Sequence, residues 1–301
     1  MATGLFMHDE CLGHVTPRGH PEQVARLGAV KAALEGMALE RREAPLGADA
    51  QILLCHPEAY LRRIEAAEPE SGVVALDEDT WMSAGSMHAA RRAVGGVCAA
   101  VDAVLAGEMR NAFVACRPPG HHAETERQMG FCLFGNVAIG AKHALAQGVE
   151  RVAIVDFDVH HGNGTQDLLW NEQGALFFSS HQSPLWPGTG AEGERGAYDQ
   201  VVNLPLAPGS GGAEMRRVYE ARVFPMLEAF DPGLLLISAG FDAHRADPLA
   251  QLNWEVEDYV WLTERLRDVA GGRVVSVLEG GYDLEALGAS VAAHVQALMA
   301  N

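Results

Sequence analysis

The sequence has no run of lysine or arginine, no Cys-x-x-Cys pair and no uninterrupted apolar stretch of membrane-spanning length. The first absence excludes most. Only 22 Lys and Arg stand against 40 Asp and Glu, a formal net charge of −18. A nucleic-acid backbone or an anionic membrane surface is therefore not the main partner. The same field favours a cationic substrate such as an amine or a basic peptide, although solubility alone accounts for it equally well. Cys11, Cys55, Cys98, Cys116 and Cys132 are odd in number and lack zinc-site spacing. They imply free thiols in a reduced cytoplasm and argue against cysteine-ligated zinc. The opening residues, Met1 to Met7, lack a basic segment leading into a long apolar one, so no signal peptide is expected.

What remains is a composition for one large folded unit. With 48% apolar and 21% charged residues over 301 positions, a single α/β domain spanning 1–301 is expected. A short strand at Leu5–His8 leads into a Gly/Pro/His-rich loop. Helical spacing follows at Val24, Leu27, Val30 and Leu34, then over 49–66 with a break at His56-Pro57. Residues 67–84 read as a polar loop, with Ser83 placed to cap an alanine-rich helix reaching Leu105. From Ala112 onward short apolar strands alternate with helices. Strands are predicted at 112–116, 152–157, 176–180, 201–204, 234–239 and 274–278. Helices are predicted at 136–147, 212–227, 256–269 and 284–299. Such alternation specifies a mostly parallel sheet covered on both faces. His8, His14 and His56 have no ligand-like neighbours and read as structural or solvated.

Four chemically loaded segments each follow an apolar strand: Arg117-Pro118-Pro119-Gly120-His121-His122, Asp158-Val159-His160-His161, Gly240-Phe241-Asp242-Ala243-His244 and Glu279-Gly280-Gly281-Tyr282. Open parallel sheets bind ligands beyond the carboxyl ends of their strands, so the four should converge on one pocket. Any one of them alone is ambiguous. The Asp156–His160 run, for instance, also fits an Asp-rich strand end that caps the next helix. If the strand persists, Asp156, Asp158 and His160 share one side. Together, Asp158, His160 and Asp242 supply three ligands for a catalytic zinc and leave a fourth position for water, whose pKa such a metal lowers to about 7. His121 and His122 suit general acid–base work, and Tyr282 can donate to a developing oxyanion. Gly130, Phe131 and Trp186 can wall a slender substrate. The reaction class is metal-assisted amide hydrolysis.

These segments, with Gly130-Phe131-Cys132, Asp156-Phe157-Asp158-Val159-His160-His161-Gly162-Asn163-Gly164 and Pro187-Gly188-Thr189-Gly190, resemble the zinc-dependent histone deacetylase family, closest to its class II and bacterial amidohydrolase branch. The likeness runs from His20-Pro21-Glu22 to Tyr282. It implies the arginase/deacetylase-like α/β fold and removal of acyl groups from amines. By that resemblance Asp158, His160 and Asp242 bind zinc, His122 acts as base and then acid, His121 assists electrostatically, and Tyr282 polarises the carbonyl. Phe131 and Trp186 flank the acyl-amine tunnel, Asp79 grips the substrate backbone, and Arg26 faces an exit channel for acetate. Asp156 orients His121. Asn163 stands where class I relatives place an aspartate beside His122, which implies a lower pKa for that histidine. A structural potassium is implied at Asp156, Asp158, Ser179 and the carbonyls of His160 and Ser180.

The implied substrate is an acylated lysine, in a protein or peptide, or an acylated small amine. Polyamine-specific relatives carry an acidic gatekeeper where Asp247-Pro248-Leu249 has Leu249, which weakens the acetylpolyamine alternative. A two-manganese arginase-like site lacks its extra carboxylates, since Gly162 follows two after His160. A catalytically inactive acyl-amine-binding protein is the alternative from another class, and retention of Tyr282 with the other candidate groups argues against it. The sequence leaves homo-oligomerisation open.

Overall fold

The computed structural model describes residues 1–300. Ten strands form in chain order: β1 (Thr3–Met7), β2 (Glu40–Glu43), β3 (Val73–Ala75), β4 (Trp81–Ser83), β5 (Asn111–Val114), β6 (Val152–Asp156), β7 (Ala175–Gln182), β8 (Val201–Leu206), β9 (Leu234–Ala239) and β10 (Val274–Leu278). Eight make one sheet in the order β2-β1-β5-β10-β9-β6-β7-β8, and every pairing in it is parallel. The central strands are apolar and fully buried, as strands covered on both faces must be.

Alternation along β5 shows how the two faces are filled. The Phe113 ring meets His294 of the Leu284–Met299 helix with ring centres 5.7 Å apart. Its neighbour Val114 points to the opposite face, toward Gly96 of the Ser86–Leu105 helix, where a side chain on Gly96 would crowd it. One helical layer is thus Val24–Ala33, Leu284–Met299 and Val256–Leu266, and the other includes Ser86–Leu105 and Asn136–Ala146. A single contiguous apolar cluster joins both layers to the sheet. No helix among the described residues is long and apolar enough to cross a membrane. All five cysteines are free and buried.

Several local expectations are corrected. The segment read as a polar loop contains the antiparallel β3–β4 hairpin, with Val73↔Ser83 and Ala75↔Trp81 in register. Ser83 is therefore in a strand, and its hydroxyl serves Val15 N–H and Gly13 C=O instead of a helix start. The helix begins after Gly85, whose φ of 102° favours glycine, and the Glu68 carboxylate accepts from Gly85 and Met87 N–H. Edge strand β2 is Glu-Arg-Arg-Glu, a charged edge that hydrophobic patterning does not reveal. The 212–227 helix is broken by a widened π turn at Tyr219–Val223 and continues to Phe230.

His14, His56 and His294 are buried. His294 donates from Nδ1 to Thr263 Oγ1 and accepts from Ser276 Oγ at Nε2, at 2.6 and 2.8 Å. Burial pushes His14 and His56 down to about 4 and His294 to about 3. Each folded pKa lies below the unfolded value of about 6.5. The unfolded chain therefore binds protons that the fold does not, and stability falls as pH drops below that value. At roughly pH 5 each histidine costs about 2 kcal/mol. The raised carboxyls of Asp242 and Glu279 take up protons in the fold over the same range and offset part of this, so thermal melting should drop between pH 7 and 5 by less than the histidines alone would give. A His294→Gln variant should melt lower at pH 7 and show a shallower acid slope.

Candidate active site

Strands β5, β10, β9 and β6 are consecutive in the sheet, and the four polar segments follow their carboxyl ends. Chain positions as far apart as 121 and 282 are thereby brought to one rim. β6 stops at Asp156, so the extended strand expected to carry Asp156, Asp158 and His160 on one side does not persist. The chain instead curls through two carboxylate-to-backbone bonds. Asp156 Oδ1 accepts from Asp158 N–H at 3.1 Å, and Asp158 Oδ1 accepts from His160 N–H at 2.9 Å. From β9, Asp242 Oδ1 accepts the Val159 N–H at 2.8 Å. From β10, Gly280 N–H donates to Asp158 Oδ2 at 2.8 Å.

Asp158, His160 and Asp242 are all buried, each offering a ligand atom within 4.8 Å of the others. His160 Nδ1 lies 3.1 Å from Asp158 Oδ1 and 3.3 Å from Asp242 Oδ2. No hydrogen bond reaches Asp242 Oδ2 among the described residues. Burial, and then the charge of Asp158, push the Asp242 carboxyl up to about 7. Two buried carboxylates and an imidazole with an unclaimed oxygen are chemically suited to a divalent cation of the zinc type. Glycine makes the space: a Cβ on Gly240 would strike Asp158, and one on Gly280 would strike both aspartates.

The two histidines of the β5 loop are held differently. His121 Nδ1 donates to Asp156 Oδ2 at 2.9 Å. Burial works to lower its pKa, but Asp158, Asp156 and Glu279 outweigh burial and hold it well above the ordinary value. Asn163 Nδ2 donates to Glu124 at 2.8 Å, leaving Oδ1 to accept from His122 Nδ1 at 2.7 Å. His122 therefore carries its proton on Nδ1 and keeps an Nε2 lone pair. Its pKa is held well below the ordinary value by burial first, then by His121 and His160. The Asn163 bond works in the opposite direction without offsetting them.

A cavity of about 220 Å³ reaches His160 of the triad, lined by Asp79, His122, Gly130, Phe131, His160, Leu185, Trp186, Leu249 and Tyr282. Every tunnel residue expected from the sequence lies on it. Leu185 is an addition that no pattern in the sequence marked. The Trp186 ring stands edge-on to His122, with ring centres 4.7 Å apart. Gly130 and Phe131 both adopt positive φ, 56° and 69°, and a side chain on Gly130 would strike His122 and Trp186. A non-glycine residue held there is backbone strain kept at a functional wall.

Three further residues shape the site. Glu279 accepts from the N–H groups of Gly120 and His121 at 2.7 and 3.2 Å, fixing the histidine loop. Arg26 donates to the carbonyl oxygens of Gly281 and Glu279 and covers the Tyr282 ring at 5.0 Å. Glu22 bridges Arg26 and Arg117, whose charges outweigh burial and hold its carboxyl at about 2. Sequence reading named Glu279 within a motif and Glu22 within a boundary, but a lone buried carboxylate leaves no spacing to detect.

Of the residues assigned to potassium, Asp156 and Ser179 are register partners in β6 and β7. Each side-chain oxygen already has a partner. Asp156 serves His121 and Asp158 N–H, Ser179 serves Gly162 N–H, and Ser180 serves Tyr219. The chemistry below does not depend on a potassium ion. His161 and His181 bond to Thr189, Gln166, Ser179 and Gly190 behind the site and are not ligands.

A family model described as the histone deacetylase domain matches residues 20–298. The chain belongs to the histone deacetylase family. It is 40% identical to a Pseudomonas aeruginosa histone deacetylase-like amidohydrolase, covering 88% of this chain and 73% of that one. It is 39% identical to a probable deacetylase of Archaeoglobus fulgidus, covering 95% and 82%. With chloroplastic histone deacetylase 14 of Arabidopsis thaliana the identity is 38% and the coverage 98% and 76%. The crystal structure of the HDA15 HD domain superposes with a TM-score of 0.95 at 32% identity, covering 99% of this chain and 91% of that one. The fold is thus that of a histone deacetylase domain, and the protein is a deacetylase-type enzyme that hydrolyses amide bonds.

Proposed function

We propose that this histone deacetylase-family enzyme is zinc-dependent and removes acetyl or other short acyl groups from acylated lysine side chains. One observation carries the reading: His122, with its free Nε2 lone pair, and Tyr282 share one narrow tunnel with His160 of the Asp158–His160–Asp242 triad. Zinc held by those three side chains would supply Lewis acidity and a water of lowered pKa.

The chain's own groups then divide the work. His122, unprotonated because burial and the neighbouring charge of His121 disfavour its own, takes a proton from the attacking water at Nε2. The same nitrogen returns that proton to the departing amine. His121, held by Asp156, stays beside it as a fixed positive charge. Burial, then Asp242, hold the Tyr282 phenol pKa well above its ordinary value, so its hydrogen stays available to the oxyanion that develops on the acyl carbonyl. Phe131, Trp186 and Leu249 exclude water along the alkyl stem, and Asp79 at the rim is placed to accept from a substrate backbone N–H.

The apolar Leu249 on the tunnel wall favours a lysine stem over a second ammonium group of a polyamine. Turnover of acetyl-, longer-acyl- and trifluoroacetyl-lysine peptides beside N-acetylated polyamines tests this. Acetyl- or short-acyl-lysine peptides are expected to exceed acetylpolyamines by about tenfold or more in kcat/KM. Faster cleavage of the polyamines would reverse the assignment, and no cleavage of any acylated amine by zinc-loaded protein would favour a binding role.

A further inference from the structure

Asp247 lies beyond β9, in the loop that follows Asp242, and no step of the hydrolysis proposed above uses it. Its side chain is buried, at 7% exposure, and points back toward the tunnel residues. Oδ1 accepts from Leu249 N–H at 3.0 Å and Oδ2 accepts from Tyr282 N–H at 2.7 Å. One carboxylate thus holds two backbone positions whose side chains both line the tunnel. The loop carrying it is itself anchored, with Asp247 N–H donating to the His244 carbonyl at 2.9 Å.

The peptide unit between Gly281 and Tyr282 is gripped at both ends. Its oxygen accepts from Arg26 Nε at 2.6 Å, and its N–H donates to Asp247. Gly281 sits at a φ of 120°, which glycine reaches at little cost and which by itself would leave the following residue free to swing. The direction in which Tyr282 projects is therefore set by two charged side chains clamping one peptide plane. The phenol oxygen lies far enough from Cα that a tilt of about 10° moves it by about 1 Å, a displacement large enough to cost turnover.

We propose that Asp247 is a positioning residue. It aims the Tyr282 phenol at the acyl carbonyl and, through its other oxygen, sets the Leu249 wall, so that one side chain governs both carbonyl polarisation and acyl selectivity. This rests on the hydrolase reading above. A carboxylate can accept from both N–H groups at once. The isosteric amide of Asp247→Asn offers one acceptor oxygen and turns an NH₂ group toward the other donor.

The test compares acetyl- and trifluoroacetyl-lysine peptides, because the trifluoroacetyl carbonyl is already activated and depends less on the phenol. Asp247→Asn is expected to lower kcat for the acetyl peptide by about 10- to 100-fold. For the trifluoroacetyl peptide kcat should fall about threefold or less, and preference between acetyl and longer acyl groups should shift by at least about threefold. In a Tyr282→Phe background the same substitution should remove less than about twofold more. An equal loss on both peptides with unchanged acyl preference, additivity with Tyr282→Phe, or wild-type kinetics would each overturn the proposal. Where Asp247→Asn does not fold, Asp247→Glu, which keeps both acceptors but displaces them, should give the same acetyl-selective loss, and an even loss would overturn the proposal equally. Wild-type protein in the same assay separates the two levels. If it cleaves no acylated amine, the hydrolase reading fails and takes this inference with it. If it is active while the variant's loss is even, only the role of Asp247 fails.

Discussion

Replacing Tyr282 with phenylalanine is expected to lower kcat on an acetyl-lysine peptide by about 10²- to 10³-fold, the usual cost of losing one oxyanion donor. The change removes a single oxygen. The ring keeps its contacts with Phe131, 5.9 Å between centres, and its place beneath the Arg26 guanidinium. The clamp on the Gly281–Tyr282 peptide is also untouched, since Arg26 and Asp247 grip only its main-chain atoms. Metal content and melting temperature should therefore match the wild type while turnover collapses. Because the phenol acts on charge that appears only in the transition state, the loss should fall on kcat more than on KM. A variant within about threefold of wild type would show that the hydroxyl does not face the reacting carbonyl.

A second substitution, Asp242→Asn, should remove the metal and activity together. Asp242 Oδ2 is a buried carboxylate oxygen that no hydrogen bond reaches among the described residues. An amide there would bring a nitrogen donor where a cation's ligand is needed. One of three ligands lost from such a site abolishes stable occupancy. The variant should hold less than about a tenth of an equivalent of zinc after dialysis and show no measurable turnover. Its metal-free fold should survive. Asp158 and Asp242 oppose each other's ionisation when no cation is present, so at pH 8 the metal-free variant should melt no lower than metal-free wild type. Full zinc occupancy in the variant would remove Asp242 from the ligand set.

The legible parts of this molecule were those with period or chemistry concentrated in a short segment. The buried strands β6, β9 and β10 are unbroken apolar runs, and Val152, Leu234 and Val274 begin them close to where hydrophobic patterning placed their starts. The rule that ligands gather beyond parallel strand ends then suffices to bring His121, Asp158, Asp242 and Tyr282 together from the sequence alone. Elements whose residues look soluble were lost. Glu40–Glu43 is a strand because it pairs with β1 at the sheet's edge, and Val73–Ala75 pairs only with a neighbour a few residues away. The end of β6 is not legible because the Asp156 and Asp158 side chains compete with strand pairing for backbone N–H groups, a choice that alternation does not encode. Asp247, Glu279 and Glu22 act on backbone or on arginines distant in sequence, so their roles emerge only from contacts.

Titration of chelated, metal-free protein with zinc, following acetate released from an acetyl-lysine peptide, is the most direct test of the single-metal hydrolase described here. Activity should be absent at the start, rise in proportion to added zinc, and stop rising at about one equivalent per chain. Full activity in the chelated protein, or a rise that continues to about two equivalents, would contradict a one-ion site at Asp158, His160 and Asp242.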